Sequence, residues 1–257
     1  MEKLYNPFSL SSKRIVISGA SSGIGEQCAI SCSQVGASVV LIGRNKDRLE
    51  KTLARMENKD KHQIITVDLT DYTNVGVQIR QNVEQFGRYD GLLNCAGIST
   101  TLPLRLVTIE KMQEYFQTNV FSAINLMNEV CKVGRFNKEG GSIVFFSSIM
   151  GIVGESGKSL YGMTKGALVS AVRSLACEFA KKKIRVNSVS PGAILTPINE
   201  SLPHMSDPIR RAMLEDKHLL GLGKTEDVAN ACIYLLSDAS RWVTGINLIV
   251  DGGYTAK

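Results

Sequence analysis

Short apolar runs rich in β-branched residues recur along the chain. They fall at Arg14–Ser18, Ser38–Ile42, Gln63–Val67, Gly91–Asn94, Ser142–Phe146, Arg185–Val189 and Asn247–Val250. Most are nearly continuous in apolar side chains, as strands buried on both faces of a parallel sheet are. The segments between them, Gly25–Val35, Lys46–Glu57, Asn74–Phe86, Ile109–Val133, Ser159–Lys182 and Thr225–Leu236, carry helical spacing instead. Strand and helix in alternation predict an α/β fold, a doubly wound parallel sheet of seven strands flanked by helices. No repeat or low-complexity linker divides residues 1–257, so a single domain is expected, with the first dozen residues leading into the first strand.

One stretch breaks the alternation. Pro191, Pro197, Pro203 and Pro208 crowd the region after the sixth strand, together with the apolar Ile194, Leu195, Ile198, Leu202 and Met205. Proline interrupts sheet and helix alike, so a long irregular connection with a short helix is expected at about 194–223. Long structured loops at strand ends often cover binding sites. His204 lies in this loop and reads as solvated.

Composition narrows the chemistry. Hydrophobic residues make up 44% and charged residues 21%, a globular balance that argues against disorder. Residues 1–13 are mixed and polar, unlike a signal peptide, and no apolar run approaches the roughly 18 residues of a membrane span. Cys28, Cys32, Cys95, Cys131, Cys177 and Cys232 form no Cys-x-x-Cys pair and have no His cluster beside them. They read as small core residues in a reducing cytoplasm, with no metal site. The net charge of +6 calls for an anionic partner: nucleic acid, a lipid surface or a phosphorylated small molecule.

The first strand runs into Ser18-Gly19-Ala20-Ser21-Ser22-Gly23-Ile24-Gly25, and a helical pattern follows at once. Glycines at 19, 23 and 25 permit a tight turn, and the new helix aims its amides and dipole at an anion such as a pyrophosphate. The end of the second strand has Arg44, with Lys46 and Arg48 behind it, and no carboxylate between Ser38 and Lys46. A carboxylate there would bind ribose hydroxyls, whereas a guanidinium suits a 2′-phosphate. NADP(H) is therefore expected over NAD(H). Asp68, after the third strand, is placed to bond the adenine amino group or to hold a turn.

Tyr161 and Lys165 lie four residues apart, on one face if the segment is helical. A tyrosine hydroxyl titrates near pH ~10 and must come down by about 3 pH units, about 4 kcal/mol, to exchange protons near neutrality. A nearby ammonium supplies part of that. Ser148, thirteen residues before Tyr161, is placed to hold a substrate carbonyl oxygen beside it.

Together these pieces resemble the short-chain dehydrogenase/reductase family, from Lys13 to Tyr254. The resemblance extends to Asn94-Cys95-Ala96-Gly97, Asn119, Pro191-Gly192, Thr196, Thr244-Gly245 and Asp251-Gly252-Gly253, in the family's order. It implies a Rossmann-type fold and a catalytic set of Asn119, Ser148, Tyr161 and Lys165. The implied cofactor positions are Gly19, Ser21, Ser22, Gly23, Ile24, Gly25, Arg44, Asp68, Leu69, Asn94, Ala96, Gly97, Tyr161, Lys165, Pro191, Gly192, Ile194 and Thr196. Asn119 is implied to hold a water in the proton relay, and Thr196 to contact the carboxamide. Two departures stand out: Ser18 replaces a threonine but keeps its hydroxyl, and Cys95 replaces an asparagine able to bridge strands.

The expected activity is NADP(H)-dependent reduction of a carbonyl, or oxidation of a secondary alcohol, with Tyr161 as general acid/base. A 3-oxoacyl thioester is the leading substrate, resembling 3-oxoacyl-[acyl-carrier-protein] reductases. Against that substrate, no obvious basic cluster is present to dock an acidic carrier protein, for which Lys138 and Lys182 are no more than candidates. Sugar, polyol or steroid dehydrogenases share the motifs, and a catalytically silent NADP-binding scaffold is the rival from another class. Nucleic-acid binding is not expected, because Lys181-Lys182-Lys183 ends a helix where cations complement the dipole. The resemblance also implies a cytoplasmic homotetramer packed through the two long helices at 109–133 and 159–182.

Overall fold

A computed structural model describes residues 5–196 and 207–257. Pro197, Ile198, Leu202, Pro203, His204 and Met205 of the expected substrate loop lie outside the described residues. Seven strands form one parallel sheet: β1 (Arg14–Ser18), β2 (Ser38–Gly43), β3 (Gln63–Thr66), β4 (Gly91–Asn94), β5 (Gly141–Phe146), β6 (Ile184–Pro191) and β9 (Asn247–Val250). Their order is β3-β2-β1-β4-β5-β6-β9. β7 (Ile194–Leu195) and β8 (Gly223–Lys224) form a separate two-stranded parallel pair. All seven expected strands are thus present in the expected parallel sheet.

Alternation along the strands sends side chains to two cores. Ile15 and Ile17 of β1, with Val39 and Leu41 of β2, pack on one face with α1 (Gly23–Gln34) and α8 (Thr225–Leu236). Val16, Val40 and Ile42 pack on the other with α3 (Tyr72–Phe86), α5 (Ser122–Val130) and α6 (Ser159–Phe179). Burial on both faces explains the unbroken apolar runs. The remaining helices are α2 (Lys46–Ala54), α4 (Ile109–Phe116) and α7 (Pro208–Asp216).

One expected element differs. The helix read over 109–133 is α4, a π-helical turn at Gln117–Phe121 and α5, ending at Val130. Apolar spacing runs through all three pieces, which is why they read as one. The π-turn inserts an extra residue, and such turns often mark functional sites. The chain then turns at Gly134, whose φ is +85°.

The order reverses between β2 and β4, which flank β1 on either side. In open α/β sheets ligands bind at the carboxyl ends of strands at such a switch point. There β1 delivers Gly19, β2 Arg44, β4 Asn94, β5 Ser148 and β6 Pro191.

Candidate active site

The turn from β1 into α1 is glycine-built for steric reasons. Gly19 has φ +67°, and a Cβ there would come within 2.9 Å of the Ala96 backbone. A Cβ on Gly25 would lie 2.3 Å from the Gly19 carbonyl oxygen. Ser22 sits at the N-cap of α1 without a side-chain cap bond. Among the described residues the amides of Gly23, Ile24 and Gly25 meet no acceptor, and the helix's positive end faces an anion-sized opening there. Ile24 packs on the core behind the turn. The arrangement fits a pyrophosphate.

The Ala96 amide donates to the Ser18 hydroxyl at 3.2 Å, so the serine at this position keeps the bond a hydroxyl permits. Asn94 is buried, and neither its Oδ1 nor its Nδ2 has a partner among the described residues. Cys95 meets Cys28 and packs within 3.3 Å of where a Gly25 Cβ would lie. Burial and then Cys28 push its thiol well up, so it is a packing group and not a nucleophile.

At the mouth of β2, Arg44 Nη1 lies 3.8 Å from Asp68 Oδ2. Asp68 Oδ1 accepts the Thr70 amide at 2.9 Å and the Thr70 hydroxyl at 2.7 Å. These bonds, the amide first, hold its carboxyl below the usual range. Asp68 therefore holds a turn, as one of its two readings supposed. Leu69 is half-buried against the core.

Pro191 ends β6, and the Gly192 amide donates to Val250 at 2.9 Å. Ile194 and Thr196 are buried. Thr196 Cγ2 lies 3.6 Å from where a Gly23 Cβ would be, which brings the loop after β6 against the glycine turn.

Four side chains converge between β5, the π-turn and α6. Lys165 is buried, and its Nζ donates to the Phe146 carbonyl at 2.8 Å. The same Nζ stands 5.6 Å from the centre of the Tyr161 ring. Burial lowers its pKa to about 8. Burial raises the Tyr161 pKa, and the Ser148 hydroxyl, which favours the phenolate, offsets only part of that. Lys165 is not among the groups shifting Tyr161, contrary to the expectation that it lowers that pKa here.

Asn119 is 1% exposed and sits in the π-turn. Its Oδ1 accepts the Ile98 amide at 2.8 Å, and its Nδ2 donates to the Ile98 carbonyl at 2.9 Å and Thr164 Oγ1 at 3.0 Å. Gly97 fits closely between Asn119 Oδ1 and Lys165 Nζ, 3.1 Å and 3.4 Å from where its Cβ would lie.

Sequence reasoning missed three residues here. Thr164 bridges Asn119 to the Tyr161 carbonyl, at 2.8 Å. His218 is buried, accepts the Ala193 amide at Nε2 (3.1 Å) and bonds the Leu214 carbonyl through Nδ1 (2.8 Å). Lys158 reaches the loop after β4. Only the position of Lys158, three residues before Tyr161, was a usable signal.

Two shallow concavities, lined by residues of β3, α3 and the amino ends of β1 and β2, include none of these side chains. Among the described residues no group of His, Cys, Asp or Glu is arranged to hold a metal, and no helix is long and apolar enough to cross a membrane.

A family model described as enoyl-(acyl carrier protein) reductase matches residues 19–255. The chain is 32% identical to a glucose 1-dehydrogenase of Gluconobacter oxydans, over 95% of this chain and 92% of that one. It is also 32% identical to a 3-oxoacyl-[acyl-carrier-protein] reductase of Thermotoga maritima, over 95% and 98%. A gluconate 5-dehydrogenase from Burkholderia cenocepacia, solved in complex with NADP and tartrate, superimposes with a TM-score of 0.90 at 25% identity, covering 98% of each chain. With a glycine turn, a tyrosine–lysine pair and relatives that match it nearly end to end, the chain belongs to the short-chain dehydrogenase/reductase family, oxidoreductases that use a nicotinamide cofactor to interconvert alcohol and carbonyl groups.

Proposed function

We propose that the chain is an NADP(H)-dependent carbonyl reductase that also runs as the reverse secondary-alcohol dehydrogenase. The observation that carries this reading is the convergence of Ser148, Tyr161, Lys165 and Asn119 beside an uncapped glycine turn at the sheet's switch point. Gly19, Ser21, Ser22, Gly23, Ile24 and Gly25 hold the pyrophosphate. Arg44 holds the 2′-phosphate, while Asp68 and Leu69 flank the adenine. Asn94, Ala96, Gly97, Pro191, Gly192, Ile194 and Thr196 line the nicotinamide end. A bound NADP(H) supplies the hydride.

Ser148 fixes the substrate oxygen next to Tyr161 and stabilises the charge that develops on it. Tyr161 Oη–H donates its proton to that oxygen during reduction and accepts it during oxidation. Lys165, held by the Phe146 carbonyl, orients the nicotinamide ribose and supplies positive charge near the phenol. Asn119 steadies the Ile98 backbone and supports the path by which the proton is replaced.

Residues 1–257 work as a single domain whose 194–223 connection covers the substrate. The protein is a cytoplasmic homotetramer assembled through α4–α5 and α6, with a small-molecule partner. The 3-oxoacyl skeleton is the first candidate, from the Thermotoga relative, and sugars follow from the Gluconobacter relative. A screen of NADPH oxidation over 3-oxoacyl thioesters, sugars and simple ketones tests the reading. Turnover of none of them, or equal efficiency with NADH, overturns it.

A further inference from the structure

Lys158 occupies the N-cap position of α6, three residues before Tyr161 and seven before Lys165. That spacing puts all three on one helical face. Lys158 Nζ donates to the Thr100 carbonyl at 3.2 Å. Thr100 lies three residues beyond Gly97, where an added Cβ would meet Asn119 Oδ1 and Lys165 Nζ. The segment 97–100 therefore runs alongside the α6 face, from Lys165 at its inner end to Lys158 at its outer end. Tyr161 lies between them. The Leu102 amide donates to the Gly157 carbonyl at 2.7 Å and ties the same segment to the start of the helix.

Stability alone does not explain a lysine here. N-caps favour Ser, Thr, Asp and Asn, and the helix dipole repels a cation at this end. Lys158 is half-buried and makes no side-chain cap bond. Burial lowers its pKa, opposed only by the longer-range field of Glu155. Glu155 is itself directed to Lys217, at 3.7 Å, and no ion pair joins Lys158 to a carboxylate among the described residues. An ammonium has three donors, and a single backbone carbonyl uses one.

We propose that Lys158 binds the carboxylate of a small oxo acid whose carbonyl oxygen is held by Ser148 and Tyr161, so that the substrate is an anionic short-chain oxo or hydroxy acid. The inference rests on the carbonyl reductase reading above and goes past it to the substrate class. Lys158 and Tyr161 stand one helical turn apart on that face, which lets one small molecule meet both, its carboxylate on the lysine and its carbonyl oxygen on the tyrosine. An ester or thioester carries no charge at that carbon for the ammonium to meet.

The test compares 3-oxobutanoate with its methyl ester and with its N-acetylcysteamine thioester, on wild type, Lys158→Met and Lys158→Arg. Each is titrated by calorimetry into the NADP-loaded protein and assayed by NADPH oxidation. For the acid, Lys158→Met should weaken binding and raise KM by about tenfold to a hundredfold, the range for a lost charge-assisted bond, with kcat little changed. Lys158→Arg should restore most of it, and neither variant should alter the ester or thioester. Equal binding of acid and ester by wild type, equal loss for both in Lys158→Met, or no binding of the acid at all overturns the inference. Ester or thioester turnover that requires Tyr161, in a protein that neither binds nor turns over the acid, would sink it while leaving the reductase reading intact. A mere capping role would lower the unfolding midpoint and treat acid and ester alike.

Discussion

Arg44 Nη1 approaches Asp68 Oδ2 to 3.8 Å, with the two side chains 75% and 48% exposed. An ion pair that long and that solvated contributes little to the fold. The Arg44 guanidinium at the carboxyl end of β2 is therefore largely solvated. In Arg44→Ala we expect kcat/KM for NADPH to fall about tenfold to a hundredfold, the range for losing a charge-assisted phosphate contact, with NADH nearly unaffected. The unfolding free energy should stay within about 0.5 kcal/mol of wild type. Equal losses with both nucleotides would reject the 2′-phosphate role.

Tyr161 is half-buried beside Ser148, and burial raises its phenol above its ordinary value. Removing only its hydroxyl leaves the packing in place. Tyr161→Phe should lower kcat by roughly a hundredfold or more, within the range of positioned acid–base catalysis, while the dissociation constant for NADPH changes little. Stopped-flow turnover and nucleotide fluorescence titration measure the two. Turnover close to wild type would mean that another group donates the proton.

Lys165 couples the site to stability. Its pKa is about 8 in the fold, against 10.5 for an ordinary lysine, because burial disfavours the ammonium. Between those values the unfolded chain binds more protons than the folded one, so stability rises with pH. The contribution is full above about 10.5 and is lost as pH falls through about 8. Its size is on the order of 3 kcal/mol at ~1.36 kcal/mol per pH unit. Tyr89 and Tyr161, both raised by burial, act in the opposite direction at higher pH. The difference between wild type and Lys165→Met therefore isolates the lysine. Urea unfolding of the nucleotide-free protein from pH 7 to 10 should show wild type gaining stability relative to Lys165→Met. A flat difference would contradict a depressed Lys165 pKa.

The strands were readable because burial on both faces leaves an unbroken apolar run, as in Ile15-Val16-Ile17, whose alternate residues fill separate cores. The site was readable wherever chemistry demands a residue type at a fixed local spacing, as with the glycines of the first turn and the Tyr161–Lys165 pair. What escaped depends on contacts between distant segments. Lys158 meets Thr100 across 58 positions, Asn119 meets Thr164 across 45, and Ala193 meets His218 across 25. No local pattern encodes such a pairing. The π-turn escaped for a different reason: one extra residue shifts the helical phase without disturbing the apolar count over 109–130.

That π-turn leads to the last expectation. Asn119 uses its acceptor and its donor on the same Ile98 backbone, and its second donor hydrogen on Thr164. All the groups involved are buried or half-buried, so truncation strands an amide and a carbonyl away from water. Each buried group left unpaired costs about 1–3 kcal/mol. Asn119→Ala should therefore lose roughly 2–4 kcal/mol in urea unfolding, near the upper end of single substitutions. Asn119→Asp can still accept the Ile98 amide, but it sets a carboxylate against the Ile98 carbonyl, so it should be no more stable than the alanine variant. Thr164→Val removes both the partner of Asn119 Nδ2 and the bond to the Tyr161 carbonyl, and should cost about 1–2 kcal/mol. In the Asn119→Ala background the part due to Asn119 should vanish, leaving a smaller cost. Additive losses in this cycle would show that Asn119 and Thr164 act separately, and that the π-turn does not brace the Tyr161 end of α6.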